Sequence, residues 1–255
     1  MPRYKLILAY DGGPFMGWQR QDHGPSVQAA LEAALERYCG APVPVQAAGR
    51  TDSGVHALGQ VVHADIPRPD PPLKVQDALN ALLRPHPVAV LVAERVAADF
   101  SARFDATGRS YRYRILNRRA PPALERGRVW HLARPLDVAA MGEAARLLVG
   151  HHDFTSFRAL HCQSRSPVKT LDHLEVVRAG EEVHVDAVAR SFLHHQVRNI
   201  VGTLVQVGLG RWEPADVSAA LAARDRAAAG PTAPPEGLYL MSVDYQVREI
   251  EPETP

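Results

Sequence analysis

The sequence contains little cysteine and no long apolar run. Its two cysteines, Cys39 and Cys162, lie far apart and match no metal-binding or redox spacing, so we expect buried thiols. No stretch approaches the roughly 18 consecutive apolar residues that suggest a membrane-spanning helix. The chain begins Met-Pro-Arg-Tyr and enters a predicted strand at once, with no signal peptide. We therefore expect a soluble, cytoplasmic protein without a membrane partner.

The motifs of common cofactor and metal enzymes are also missing. No Gly-x-Gly-x-x-Gly follows a strand, and neither a Walker loop nor a His-Glu-x-x-His helix occurs. Among the 12 histidines, His151-His152 and His194-His195 are adjacent pairs, whose rings should diverge in a strand or a helix. We therefore expect no metal site. A metal-dependent hydrolase built on histidines brought together by folding stays open, and a metal analysis of the purified protein would decide it.

Basic residues are concentrated in one segment, although the net charge of the chain is only +1. Residues 103–128 hold eight arginines against two acids, Asp105 and Glu125. Nearly all the basic residues of the protein are arginine, which can bind phosphate with two parallel hydrogen bonds. The segment therefore either follows a nucleic-acid backbone or is a solvated surface, and composition favours neither.

A short turn motif, Gly-Arg-Thr-Asp-Ser-Gly-Val-His at residues 49–56, lies between strands predicted at 43–48 and 58–66. Asp-Ser-Gly suits a tight reversal, because glycine tolerates positive φ and aspartate can bind its own turn backbone. The turn would present Asp52 at a strand end with Arg50 nearby, as loops that carry binding or catalytic groups do. Ordinary hairpin turns share this pattern, and from pattern alone that simpler interpretation is favoured.

The order of predicted elements indicates an α+β protein. Strand, helix, strand, strand, helix, strand is the layout of a ferredoxin-like (RRM-like) unit, and it occurs twice. This duplication predicts halves at residues 1–105 and 106–250, with two antiparallel sheets facing a central cleft, and a frayed acidic tail at 251–255. The expected strands are 3–10, 43–48, 58–66, 88–97, 107–117, 170–178, 182–189 and 238–245, and the expected helices are 27–39, 73–83, 138–148, 195–207 and a short one after Pro214.

Six short sequence blocks occur in order along nearly the whole chain. They are Tyr10-Asp11-Gly12 with Phe15-Met16-Gly17-Trp18-Gln19, the 49–56 motif with Gln60-Val61-Val62-His63, Arg109-Ser110-Tyr111-Arg112-Tyr113, Asp153-Phe154-Thr155-Ser156-Phe157, Val197-Arg198-Asn199-Ile200-Val201-Gly202, and Glu236-Gly237-Leu238-Tyr239-Leu240. Together they resemble the family of pseudouridine synthases that act on the anticodon arm of transfer RNA, and the resemblance is specific because the blocks occur as an ordered set.

The resemblance implies that the protein isomerises uridine at tRNA positions 38, 39 and 40. That reaction breaks the glycosidic N–C bond, turns the uracil and rejoins it through carbon, so it needs neither redox chemistry nor a cofactor. It needs a carboxylate that attacks covalently or stabilises positive charge at the sugar, with water excluded. Asp52 is implied in this role, and which atom it attacks stays open. Arg198, on or near the buried stripe of an apolar helix, is implied as the partner of Asp52.

Further residues are implied to bind the substrate. Because the target uridine is stacked in or beside a stem, the enzyme must flip it out. Arg50 is implied to fill the vacated space and contact the phosphate backbone. Tyr111 is implied to stack on the uracil and to help remove the C5 proton, and Leu238 is implied to cover the uracil. We also expect Arg109 and Arg112 to contact phosphates.

The expected assembly is a homodimer, because the family is dimeric and one cleft is too small for both the elbow and the anticodon arm of tRNA. A non-catalytic RNA-binding module on ferredoxin-like sheets is the main alternative function. It is disfavoured because binding alone needs no acid such as Asp52 in an RNA cleft, and because the chain lacks the Gly-Phe-aromatic run of RRM strands.

Overall fold

The computed structural model describes residues 1–160 and 162–246, so the tail expected at 251–255 lies outside the described residues. The first half of the chain forms β1 (Arg3–Tyr10), α1 (Val27–Cys39), β2 (Gln46–Ala47), β3 (His56–Asp65), α2 (Pro72–Leu83) and β4 (Val88–Val96). The second half forms β5 (Ala106–Leu116), β6 (Trp130–His131), α3 (Val138–Arg146), β7 (Gly150–Asp153), β8 (Val168–Ala179), β9 (Glu182–Ala189), α4 (Gln196–Gly208), α5 (Pro214–Ala223) and β10 (Leu238–Tyr245). This α+β architecture confirms the expected class.

Local signals set the helix ends. The Ser26 hydroxyl accepts a hydrogen bond from the Ala29 N–H, and Gly40 ends α1 with a left-handed φ of 75°. Asp137 caps α3 in the same way through the Ala140 N–H. Both caps agree with the sequence-based expectation, although α3 ends at Arg146, two residues earlier than expected.

The expectation of two separate sheets is wrong, because the described strands form one sheet in the order β4-β1-β3-β10-β5-β9-β8-β7. The two halves join where β10 pairs in parallel with β3, with Tyr239 opposite His56 and Leu240 opposite Ala57. The other pairs along this path are antiparallel. Each half has an open edge at this seam, and pairing satisfies backbone N–H and C=O groups that would otherwise lack partners.

Two hydrophobic cores lie on either side of the seam. One contains Tyr4, Leu6 and Leu8 of β1 together with α1 and α2, and the other packs α3 and α4 against β5, β8 and β9. Tyr111 packs against both cores, so it lies at the seam between the halves. In α4 every residue except Arg198 and Gln206 is buried, which places Arg198 on an otherwise enclosed helix. None of the helices in the described part of the chain is long and apolar enough to cross a membrane.

Candidate active site

The Asp52 turn is held by the loop that follows β1. The Val55 N–H donates to the Asp52 carbonyl at 3.1 Å, and Gly54 takes a φ of 77°, as a tight reversal requires. The Trp18 N–H donates to the Thr51 carbonyl at 3.0 Å, and the hydroxyls of Tyr10 and Thr51 share a 2.8 Å hydrogen bond. The turn is therefore a fixed platform rather than a free hairpin tip.

Two glycines allow this close contact between backbones. A Cβ on Gly12 would lie 2.0 Å from the Val55 carbonyl oxygen, and a Cβ on Gly17 would lie 2.7 Å from the Thr51 carbonyl oxygen. Gly17 also has a φ of 97°, which residues with a side chain rarely adopt. Both motifs near the start of the chain thus position the Asp52 turn.

Arg198 reaches Asp52 across the seam from α4. Its Nη1 donates to Asp52 Oδ2 at 3.1 Å, and its Nε donates to the Ala233 carbonyl at 2.8 Å. The Arg198 side chain is 12% exposed and that of Asp52 is 22% exposed. The expected pairing of Asp52 with Arg198 is present, and the second hydrogen bond fixes the guanidinium in place.

Two histidines that the sequence did not assign to the site also face Asp52. His194 Nε2 lies 3.3 Å from Asp52 Oδ1, and His195 Nε2 lies 3.4 Å from Asp52 Oδ2. The expectation that adjacent histidine rings diverge is wrong for this pair, since the ring centroids are 4.0 Å apart. The reason is a left-handed φ of 63° at His195, directly before α4, which follows neither the strand nor the helix pattern. Adjacency to the Val197-Arg198 motif was the only sequence signal for them.

Tyr111 lies beside this group on the strand β5. Its ring meets the ring of Phe192 edge-on, with centroids 5.1 Å apart. Burial, together with the charge of Asp52, raises the pKa of Tyr111. Tyr113, two residues further along β5, is fully buried, and its hydroxyl donates a hydrogen bond to the Pro234 carbonyl at 2.7 Å. Of the two tyrosines, Tyr111 is therefore the one that lies near Asp52.

The remaining predicted substrate residues are more scattered. Arg50 is exposed, with Nη1 3.5 Å from Gln163 Oε1. Leu238 is buried in the second core, opposite Tyr113 in the β10–β5 pair. Neither has a polar contact with Asp52 in the described structure, so their roles toward the uracil and the RNA backbone stay predictions.

The two strand arginines have internal partners. The Arg109 guanidinium donates to the carbonyls of Ala48, Arg103, Ala106 and Arg190 at 2.6–3.2 Å. Arg112 binds Asp186 through two hydrogen bonds of 2.7 and 2.9 Å. As the neighbour of Tyr111 in β5, Arg112 points to the opposite face of the sheet. The structure does not bring these arginines together with Asp52, and their contact with phosphates stays a prediction.

A metal ion is poorly suited to this site. Asp52, His194 and His195 have nitrogen and oxygen atoms within 4.8 Å of one another, the only such group of three among the described residues. However, Arg198 Nη1 already contacts the Asp52 oxygen that faces His195, so an added ion would lie beside a fixed cation. We therefore assign no metal ligands here.

The amino-acid sequence of the chain matches a known family. A family model described as tRNA pseudouridine synthase matches residues 6–105 and 144–246. The chain is similar to proteins named tRNA pseudouridine synthase A from Rhodospirillum centenum (64% identity), Rhodopseudomonas palustris strain HaA2 (62%) and Rhodospirillum rubrum (61%). Each alignment covers 96% of this chain and 100%, 100% and 88% of the relative, respectively.

A carboxylate on a fixed turn, paired with an arginine from a buried helix, is suited to covalent or charge-stabilising chemistry. The chain belongs to the tRNA pseudouridine synthase family.

Proposed function

We propose that this protein isomerises uridine to pseudouridine at positions 38, 39 and 40 in the anticodon stem-loop of tRNA. The observation that supports this most directly is the Asp52–Arg198 pair, held at 3.1 Å at the seam between the halves in a member of this family. A protein that only binds RNA would gain nothing from a carboxylate there, because RNA phosphates repel it. The non-catalytic RNA-binding alternative is therefore not favoured.

In this reaction Asp52 attacks, or stabilises, the cationic centre that forms when the glycosidic bond breaks. Arg198 compensates the charge of the carboxylate where water is scarce, since an uncompensated buried carboxylate would take up a proton. The flipped uracil stacks on Tyr111 under the cover of Leu238, and Arg50 fills the space that the base leaves in the stem. No cofactor or metal takes part in this proposal.

Release of tritium tests the activity. A tRNA labelled at uridine C5 loses its label when the new C–C bond replaces the C5–H bond. The protein should release tritium from a tRNA transcript that carries uridine at positions 38–40, and not from a matched transcript with cytidine at those three positions. Equal release from both transcripts would contradict the assigned positions, and no release from either would contradict the activity.

We also propose that the active form is a homodimer in which two copies meet through the sheet face that carries Arg112. A groove of about 850 Å³ on this face is lined by apolar residues that include Leu58, Leu124 and Met241. Leu58 is 50% exposed and Leu124 is 90% exposed. Three arginines and three glutamates also line the groove, a mixture of charges that suits contact with a second copy of the same face.

Light scattering tests the dimer. We expect Leu58→Glu with Leu124→Glu to produce monomers with weaker tRNA binding. Leu91→Glu is the control, because Leu91 on β4 is similarly exposed, at 46%, and does not line the groove. A parent protein that is monomeric and fully active on tRNA would contradict this proposal.

In this proposal, the domains at residues 1–105 and 106–250 are two ferredoxin-like units around the site, and residues 247–250 lie outside the described residues. The first stretch matched by the family model also ends at residue 105, which supports that boundary. We place the protein in the cytoplasm, where bacterial tRNA is modified.

A further inference from the structure

The proposed isomerisation requires a base, and the only candidate among the residues assigned so far is the weakly basic carboxylate of Asp52. After C5 of the uracil has bonded to the sugar, C5 still carries its hydrogen, which must leave as a proton before the ring recovers its double bond. Arg198 is permanently protonated. Burial raises the pKa of Tyr111, so its phenol keeps its own proton and can at most relay another. A base stronger than a carboxylate is still needed.

We propose that His194 and His195 together form the base that accepts the C5 proton and passes it to water. The inference rests on the proposed function. A neutral imidazole has one ring nitrogen with a free lone pair, and it can take up and release a proton near neutral pH. As the C5–H bond breaks, its electron pair forms the C5–C6 double bond, the π electrons of the N1–C6 double bond move onto N1, and N1 takes a proton from water. The net number of protons on the nucleoside is therefore unchanged.

A single loop, residues 190–195 between β9 and α4, brings the imidazoles to the reacting groups. Phe192 packs edge-on against Tyr111, and His194 and His195 follow within three residues and face the two oxygens of Asp52 at 3.3 and 3.4 Å. A uracil that stacks on Tyr111 with its sugar at Asp52 lies beside this loop. The imidazoles are thus close to the atom that loses its proton.

The charges around the two histidines suit a base that takes up a proton and releases it again in each turnover. Burial is the largest cause that lowers the pKa of His195, and His194, Arg198 and Arg226 add to it, whereas Asp52 raises it. Together these influences favour the neutral form of His195. Once an imidazole is protonated, the carboxylate of Asp52, free again after C–C bond formation, stabilises it. The His194 side chain is 46% exposed, which gives the proton an exit to water.

The backbone at His195 supports a functional role. Its φ of 63° is left-handed, a region that is unfavourable for residues with a Cβ. This conformation turns the His195 ring toward Asp52. Glycine at this position would remove the strain, so His195→Gly should keep or raise the melting temperature while turnover falls. Strained backbone positions cluster at functional sites, where the side chain is needed despite its cost in stability.

The test uses His194→Asn, His195→Asn and the double variant, because asparagine tolerates left-handed backbone and donates hydrogen bonds but accepts no proton at neutral pH. His173→Asn, at an exposed histidine on β8, is the control. Turnover is measured on tRNA with hydrogen or deuterium at uridine C5, with pseudouridine detected after digestion. We expect the double variant to lose about 10²- to 10⁴-fold in kcat, with unchanged tRNA affinity.

The isotope effect shows whether the two histidines accept the C5 proton themselves or only hold Asp52 in place. If the pair is the base, deuterium at C5 should slow the double variant more than the parent, and the acidic limb of the parent kcat–pH profile should disappear. Unchanged turnover in the double variant would overturn the proposal. Lower turnover without a larger C5 isotope effect would also overturn it, since the histidines would then act only through Asp52. If a variant fails to fold, His195→Gly provides the same comparison. A parent without any pseudouridine product would instead refute the proposed function.

Discussion

The ion pair between Arg198 and Asp52 allows a quantitative prediction for stability. Arg198 Nη1 binds Asp52 at 3.1 Å, and Arg198 Nε binds the Ala233 carbonyl at 2.8 Å. Arg198→Met keeps most of the apolar stem but removes both hydrogen bonds. Hydrogen bonds that involve a charged group contribute about 1.5–3 kcal/mol. We therefore expect the free energy of unfolding to fall by roughly 3–6 kcal/mol for the two bonds, or about 6–24 °C in melting temperature for a chain of this length.

A double-mutant cycle isolates the pair from packing. Asp52→Asn removes the negative charge, so Arg198→Met should destabilise the Asn variant less than it destabilises the parent, by about 0.5–3 kcal/mol. Thermal melts of the parent, both single variants and the double variant give the coupling. Equal losses in the two backgrounds would show that Arg198 stabilises the protein only through Ala233 and its stem, and would refute the pairing as a source of stability.

Three further predictions concern the RNA and the pH dependence. Tyr111→Ala should weaken tRNA binding by roughly 1–3 kcal/mol, whereas Tyr111→Phe should keep affinity and lose turnover; a Phe variant with full activity would leave Tyr111 with stacking alone. If Arg109 and Arg112 contact phosphates, neutralising both should flatten the salt dependence of tRNA binding by about 0.7 to 0.9 slope units per contact; an unchanged slope with a lower melting temperature would assign them to their internal bonds. Burial lowers the pKa of His56 and of His63 below the usual 6.5, so the unfolded chain binds more protons than the folded chain on acidification. The contribution of these histidines to stability should therefore be complete above about pH 6.5. It should fall as the pH drops toward their folded-state pKa values. A melting temperature that rises on acidification would contradict this.

Short-range signals account for what the sequence predicted well. Ser26, Gly40 and Asp137 act through bonds to residues within four positions, so their pattern fixes the helix ends wherever the helix packs. The turn at Asp52 and the apolar face of α4 are equally local. Arg198 could be placed near a buried partner because its neighbours in the helix are apolar, although only the family resemblance named Asp52 as that partner.

Short-range sequence signals do not predict contacts between segments that lie far apart in the chain. Strand composition does not reveal which edges pair, so the junction of β3 with β10 could not be read from either half. The ion pair of Arg112 with Asp186 joins residues on different strands and changes how the arginine-rich segment is interpreted. The histidine pair depends on one left-handed residue, His195, and a side-chain alternation pattern cannot anticipate a single reversal of the backbone.

The proposed isomerisation depends on the ionised carboxylate of Asp52. Asparagine has nearly the same shape and can accept hydrogen bonds in the turn, so Asp52→Asn should fold and should bind tRNA about as well as the parent, because phosphate contacts dominate affinity. It cannot supply an ionised oxygen to the sugar. The decisive measurement is tritium release from C5-labelled tRNA by Asp52→Asn, with a thermal melt and a tRNA titration on the same preparation. We expect no detectable release by a folded, tRNA-binding variant, and appreciable release by such a variant would contradict the role of Asp52.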